Sequence, residues 1–219
     1  MSSSLIFSIK IILAVCGLNL VIGSLTGVYL ARHNSIFSRI IDILVSLPMV
    51  FPPIAMGFFL LLVFGRNSFL GRWLDTINLS VIFSAAGVLL AAFIAGFPLM
   101  VKSVKTSASA LDDSILEMAE LQGASRTQII LYIIIPNIRM GIFSGLTLSS
   151  GRALGEVGMT LMLGGNIIGK TETISLAIYN SVFDGNFDRA MFLSVVLAVT
   201  AIILFMLIQR MEVNYEYAK

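Results

Sequence analysis

Recurrent apolar runs of roughly twenty residues or more, separated by short links that carry most of the charge, leave this sequence few folds to choose from. A bilayer's hydrocarbon core is about 30 Å thick and is crossed by about 20 predominantly apolar residues in a helix. Inside that core every backbone amide and carbonyl must be bonded within the protein, a condition a helix meets along its own length. The sequence therefore predicts an all-α, polytopic membrane protein. Its composition agrees: 58% of the 219 residues are hydrophobic, only 12% are charged, and the mean hydropathy is +0.98, beyond the usual range of soluble domains.

Five spans are expected, at about Ser8–Ala31, Ile40–Phe64, Ser80–Val101, Gly141–Leu163 and Ala190–Gln209. The stretch Thr173–Phe183 is apolar on one side but only about half a membrane thickness long, and is expected to form a short re-entrant or outer helix. Residues 1–219 read as a single transmembrane domain, with an insert at about 104–138. The leading MSSSLIFSIK has no Ala-x-Ala-like cleavage site, so the first run is expected to stay as a span. Cys16 within it reads as a small hydrophobe without an intrachain partner. The net charge of +2 is spread over the links, which gives no reason to expect nucleic acid.

Lys and Arg concentrate in cytoplasmic links. Placing the insert inside gathers Arg32, Arg39, Lys102, Lys105, Arg126, Arg139, Arg210 and Lys219 there and leaves Lys10, Arg66, Arg72, Lys170 and Arg189 outside. This predicts a multi-pass cell-membrane protein with its N-terminus outside and its C-terminus inside.

Pro48, Pro52 and Pro53 fall within the second span. Proline lacks an amide donor and clashes with the preceding turn, so that span must bend or break. The bend is either a packing feature or part of the lining of a pathway. Gly-x-x-x-Gly spacings at Gly23–Gly27 and Gly141–Gly145 predict close helix approach. Arg152 and Glu156 are an opposite-charge pair inside the fourth span, spaced to share one helix face. Either they neutralise each other and fix the helix, or Arg152 faces a cavity through which an anion passes. Gly165-Asn166 and Gly169-Lys170-Thr171 read as a turn at the membrane surface whose amides and lysine could also meet an anion.

The insert is the largest polar interruption. Ser114 and Glu117 have capping-box spacing, which predicts a short helix from there through Leu121. Gly123 suits the left-handed position that closes a helix. Ser125 with Gln128 repeats the capping pattern and starts a second helix running to Pro136. The product is a helix-turn-helix elbow, with Glu117, Ala119 and Gly123 near a turn that a partner surface could approach.

Glu117-Met118-Ala119, three residues, Gly123, nine residues and Ile133-x-Ile135-Pro136 resemble the E-A-A-x3-G-x9-I-x-L-P signature of ABC importer permeases, with Met118 and Ile135 as departures. LPMVFPP at 47–53, FPLMV at 97–101, GRALGEVG at 151–158, and GNIIGKT at 165–171 followed by LAIY at 176–179 resemble runs of molybdate permeases. Val157 and Ile168 depart from those runs, and similar motifs occur in tungstate and sulfate permeases.

The resemblance implies a type I ABC importer permease fold, a homodimer with the path along its two-fold axis, two cytoplasmic ABC ATPase subunits and an extracytoplasmic oxyanion-binding protein. It implies that Glu117, Met118, Ala119, Gly123 and Pro136 couple to the ATPase. Pro48, Pro52, Pro53, Arg152, Glu156, Gly165 and Asn166 are the candidates for the path or its gate. The one G-x-x-x-x-G-K-[ST] spacing, Gly164 to Thr171, follows an apolar span rather than a strand, so ATP is expected to belong to the partner, and no cofactor, metal or catalytic set is expected here. The competing reading is a self-sufficient channel or ion-driven transporter, which would need no elbow.

Overall fold

The computed structural model describes residues 2–77 and 79–216, with side chains for 3–77 and 79–210; Lys219, counted above among the inner charges, lies outside them. The described residues form helices and links without strands. Helix α1 (Ser3–Arg32) contains a π turn at Asn19–Gly23. Helix α2 (Ile36–Val50) starts on Ser35, whose Oγ accepts the Ser38 amide while the Ser38 hydroxyl accepts the Ser35 amide. Helices α3 (Pro53–Phe64) and α4 (Phe69–Thr76) meet at 60°. Helix α5 (Ala85–Ser109) is followed by the insert, α6 (Asp113–Leu121) and α7 (Arg126–Asn137). After a 72° bend come α8 (Arg139–Leu154), then α9 (Gly158–Gly164), α10 (Ile174–Phe183) and α11 (Phe187–Glu216).

Among the described residues, three helices are long and apolar enough to cross a membrane unaided, and up to five spans result if each bent pair counts as one. The first, third and last expected spans are these continuous helices. The second and fourth expected spans each fall on two helices, α2 with α3 and α8 with α9, whereas the bent pairs are α3 with α4 and α7 with α8. Between α2 and α3, Phe51 and Pro52 are extended, with ψ of 142° and 133°. Each precedes a proline, whose ring excludes the helical conformation from the residue before it. Pro53 then restarts the helix at a position where its missing amide costs nothing. Pro48 stays inside α2 without breaking it.

Helix α5 is the hub, half buried along its apolar window against 22% for α1 and 11% for α11. Both Gly-x-x-x-Gly pairs face it. A Cβ on Gly23 would lie 2.6 Å from the Met100 side chain, one on Gly27 2.7 Å from Val104, and one on Gly145 2.9 Å from the Met100 sulfur; one on Gly141 would overlap Ser107. Lipid offers no hydrophobic drive for helix association, so such close backbone approach and its dispersion contacts supply the adhesion. At the centre of the hub, Gly96 is wedged between the Ser149 carbonyl of α8 and the amide of Asn19 in the π turn of α1. Asn19 and Ser149 are completely buried.

Candidate functional site

The elbow's cap lies two residues earlier than its sequence suggests. Asp112, not Ser114, is the cap: its Oδ1 accepts the Ser114 amide at 3.0 Å, and α6 starts at Asp113. That hydrogen bond, from the Ser114 backbone, holds the Asp112 carboxyl below the usual carboxylate range. The contribution of this cap to α6 is present above the unfolded carboxylate pKa of about 3.9 and disappears as pH falls through the lowered value. Gly123 closes α6 at φ +84°, donating its amide to the Glu120 carbonyl while Ala124 reaches back to Ala119. The Ser125–Gln128 capping box forms, and α7 continues to Asn137, one residue past Pro136.

On α6 the residue roles divide. Ala119 turns inward and packs with Ile129, Ile134 and Ile138. Glu117 is exposed and lines a cleft of about 450 Å³ with Tyr29, Arg32, Glu120 and Arg126. The outer surface is apolar: Ile115, Met118 and Leu121 are 48%, 60% and 88% exposed. The motif covers Met118 but omits Ile115 and Leu121, whose spacing with it on one helix face was the available signal. Arg32 fastens the elbow to the bundle. One guanidinium nitrogen meets Asp113 Oδ1 at 2.7 Å, and the other donates to the Ala108 carbonyl at 2.6 Å.

The second cluster lies at the two span breaks. A Cβ on Gly158 would meet Pro53 at 2.9 Å and Ile54 at 3.0 Å, and one on Gly57 would meet Met159 and Met162 at 2.9 Å. Helices α3 and α9 thus lie parallel with their first residues together. The Arg152–Glu156 ion pair exists, at 2.7 Å, but its residues do not share a helix. α8 ends at Leu154, and Glu156 sits in the break, where its Oε1 accepts the Met159 amide at 2.8 Å. Glu156 is 2% exposed, whereas the Arg152 side chain is 34% exposed. The carboxylate is thus a buried anchor that starts α9 and holds an accessible cation beside the break.

Gly165 and Asn166 lie in the left-handed region, with φ of +71° and +50°, and belong to a knot at the end of the bundle far from the insert. Asn166 and Asn180 exchange amide hydrogen bonds of 2.6 and 3.2 Å. Asn180 also donates to Glu172, whose other oxygen accepts from the Ser4 hydroxyl at 2.7 Å. Ser8 accepts the Ile174 amide. Glu172 is 5% exposed, so the start of α1 is tied to α10 through a buried carboxylate. Sequence reasoning singled out neither Glu172 nor its partners; an acid flanked by two threonines ahead of an apolar helix was the signal.

Over residues 20–211 the sequence matches the family of binding-protein-dependent transport system inner membrane components. The chain belongs to this family. It is a multi-pass membrane protein and a transporter subunit of that class. It is 37% identical to a probable transport system permease protein NifC of Clostridium pasteurianum, over 78% of this chain and 60% of that relative. It is 34% identical to a putative molybdenum transport system permease protein YvgM of Bacillus subtilis, over 92% and 89% of the two chains. It is also 31% identical to a probable sulfate transport system permease protein, cysT, of Prototheca wickerhamii, over 96% and 82%.

The fold of this family member is that of solved ABC transporter chains. One comes from a bacterial alginate ABC transporter, with a TM-score of 0.70, 19% identity, and 94% of this chain and 77% of that chain covered. Another comes from the MetNI methionine ABC transporter in an inward-facing conformation, with a TM-score of 0.67, 17% identity, and coverage of 99% and 94%. The expected ABC importer permease fold is therefore the one observed.

Proposed function

We propose that this chain is the permease subunit of an ATP-driven importer for molybdate or a related tetrahedral oxyanion, tungstate or sulfate. Two copies enclose the path, two ABC ATPase subunits bind on the cytoplasmic side, and an extracytoplasmic binding protein delivers the anion. The insert end is the cytoplasmic end, which puts the N-terminus outside and the C-terminus inside. ATP is bound and hydrolysed by the partner subunits.

The elbow carries this reading. It is a doubly capped projection with an exposed apolar face, anchored through Arg32 to the ends of α1 and α5, and so suited to receive force from outside the membrane. Names of relatives support the oxyanion: molybdenum and sulfate transport recur among them. Glu117, Met118, Gly123 and Pro136 act in coupling, with Ala119 supporting the elbow from within. Arg152, held by Glu156 beside the Pro52–Pro53 break, borders the anion path, and Gly165 and Asn166 belong to its outer end.

Reconstitution with the cognate ATPase and binding protein tests the assignment. ATP-dependent uptake of labelled molybdate or sulfate is expected; uptake of a sugar or amino acid with no oxyanion transported would sink it.

Arg152 gives a second measurement. Arg152→Leu strands the buried Glu156 carboxylate without its cation, a loss of about 3–5 kcal/mol, and should prevent assembly. The double variant Arg152→Gln, Glu156→Gln keeps an acceptor for the Met159 amide and is expected to assemble, yet to transport roughly tenfold more slowly or worse, the loss of one charge contact on the anion. Normal transport by the double variant would remove Arg152 from the path.

A further inference from the structure

Asp42 of α2 is shared by two lysines of α5. Lys102 meets one carboxylate oxygen at 2.7 Å and Lys105 the other at 3.0 Å. Lys105 lies about one turn before Ala108, the residue whose carbonyl receives Arg32, so the cluster is just inside the insert end of the bundle. Residues 102, 105, 106 and 109 share a helix face, and Thr106 and Ser109 continue that polar stripe, both exposed. On α2 the stripe is matched by Ser46, one turn beyond Asp42 and half-buried.

Two features separate this cluster from a strut between helices. Its charge is unbalanced, two cations to one anion. Its members also stay open, with side chains 36%, 32% and 26% exposed for Lys102, Lys105 and Asp42. Charged groups on spans face a cavity or a partner rather than hydrocarbon. An open, net-positive cluster at the inner end of two packed helices therefore has a cation to spare for an anionic partner.

We propose that Lys102 and Lys105 form an exit site for the oxyanion, in which the anion replaces Asp42 as their shared partner. A tetrahedral dianion presents several oxygens, so it can accept from both ammonium groups as the carboxylate does. Two bare lysines would retain a dianion. Asp42 competes for them, shortens its stay, and closes over the site once the anion leaves. This rests on the oxyanion reading above.

The test uses the whole importer, permease with ATPase and binding protein, in proteoliposomes with rising molybdate on the ATPase side. Removing the competitor with Asp42→Asn should lower the molybdate concentration that halves uptake by about tenfold, and Lys102→Gln should raise it by a similar factor. Asp42→Glu should behave as the parent. Equilibrium dialysis of labelled molybdate against the solubilised permease–ATPase complex should show the same order of affinities, and Lys102→Gln decides the matter if Asp42→Asn does not assemble. An unchanged half-inhibiting concentration, or uptake reduced by one factor at every molybdate level, would overturn the exit site and leave the cluster a strut. A parent complex that moves no oxyanion would instead overturn the functional assignment.

Discussion

Gly96→Leu should yield no assembled permease. A Cβ at this position already lies 2.5 Å from the Ser149 carbonyl oxygen, 3.1 Å from its carbon and 3.2 Å from the Asn19 amide nitrogen. The first two are backbone atoms of α8, so no rotamer change relieves the overlap and α5 must move away from α8. Even alanine should cost about 1–3 kcal/mol, the usual range for an overfilled core, and leucine more. Gly17, with open space around its Cβ position, serves as the control: Gly17→Ala should melt as the parent does. Size-exclusion profiles and melting temperatures in detergent read the difference. A Gly96→Leu protein melting with the parent would mean that α1, α5 and α8 do not meet at this point.

Gly123→Arg should separate folding from coupling. The position is at φ +84° but has nothing within 4 Å of a Cβ, so the substitution meets no steric barrier within the chain. Holding a residue other than glycine in the left-handed region costs roughly 1–2 kcal/mol, confined to the joint between α6 and α7. The bundle should assemble. The turn, next to the exposed Met118 and Leu121, would now carry a long cation on the face assigned to the ATPase. Co-purification of the ATPase should fall by about tenfold or more, the effect of disturbing a central interface contact, and ATP-dependent uptake should be lost. Gly123→Asn, which visits the left-handed region readily, should retain much of both. Undiminished binding of the ATPase by the arginine variant would remove the elbow from the coupling interface.

The elbow was legible because its rules are local: a cap three residues from its partner, a glycine at a helix end. Even there the nearer acid won, since Asp112 reached the Ser114 amide before Ser114 itself could act as a cap. The apolar runs revealed three helices directly. They concealed the interruption at Gly155–Val157, because Glu156 caps α9 from within an otherwise apolar run, and hydropathy does not register a side chain satisfying a backbone amide. Contacts between distant residues were not legible at all. Asp42 lies 60 residues from Lys102, and Ser4 lies 168 from Glu172, so only the packed bundle shows that charges read as markers of sidedness are partners. Likewise the Gly-x-x-x-Gly pairs announced close packing, but not that both address α5.

The parallel contact of α3 with α9 has a mechanical consequence. Each segment joins the rest of the chain through a short non-helical link, Phe51–Pro52 in one case and Gly155–Val157 in the other, and Pro53 lies against Gly158. Fastened together along Gly57 and Met159, the two cannot swing separately. Met159 and Leu163 of α9 also pack on Ala91 and Ala95 of α5, so the pair is carried by the hub helix as one body. A double electron–electron resonance label on each should therefore report a constant distance between α3 and α9, and between each of them and α5.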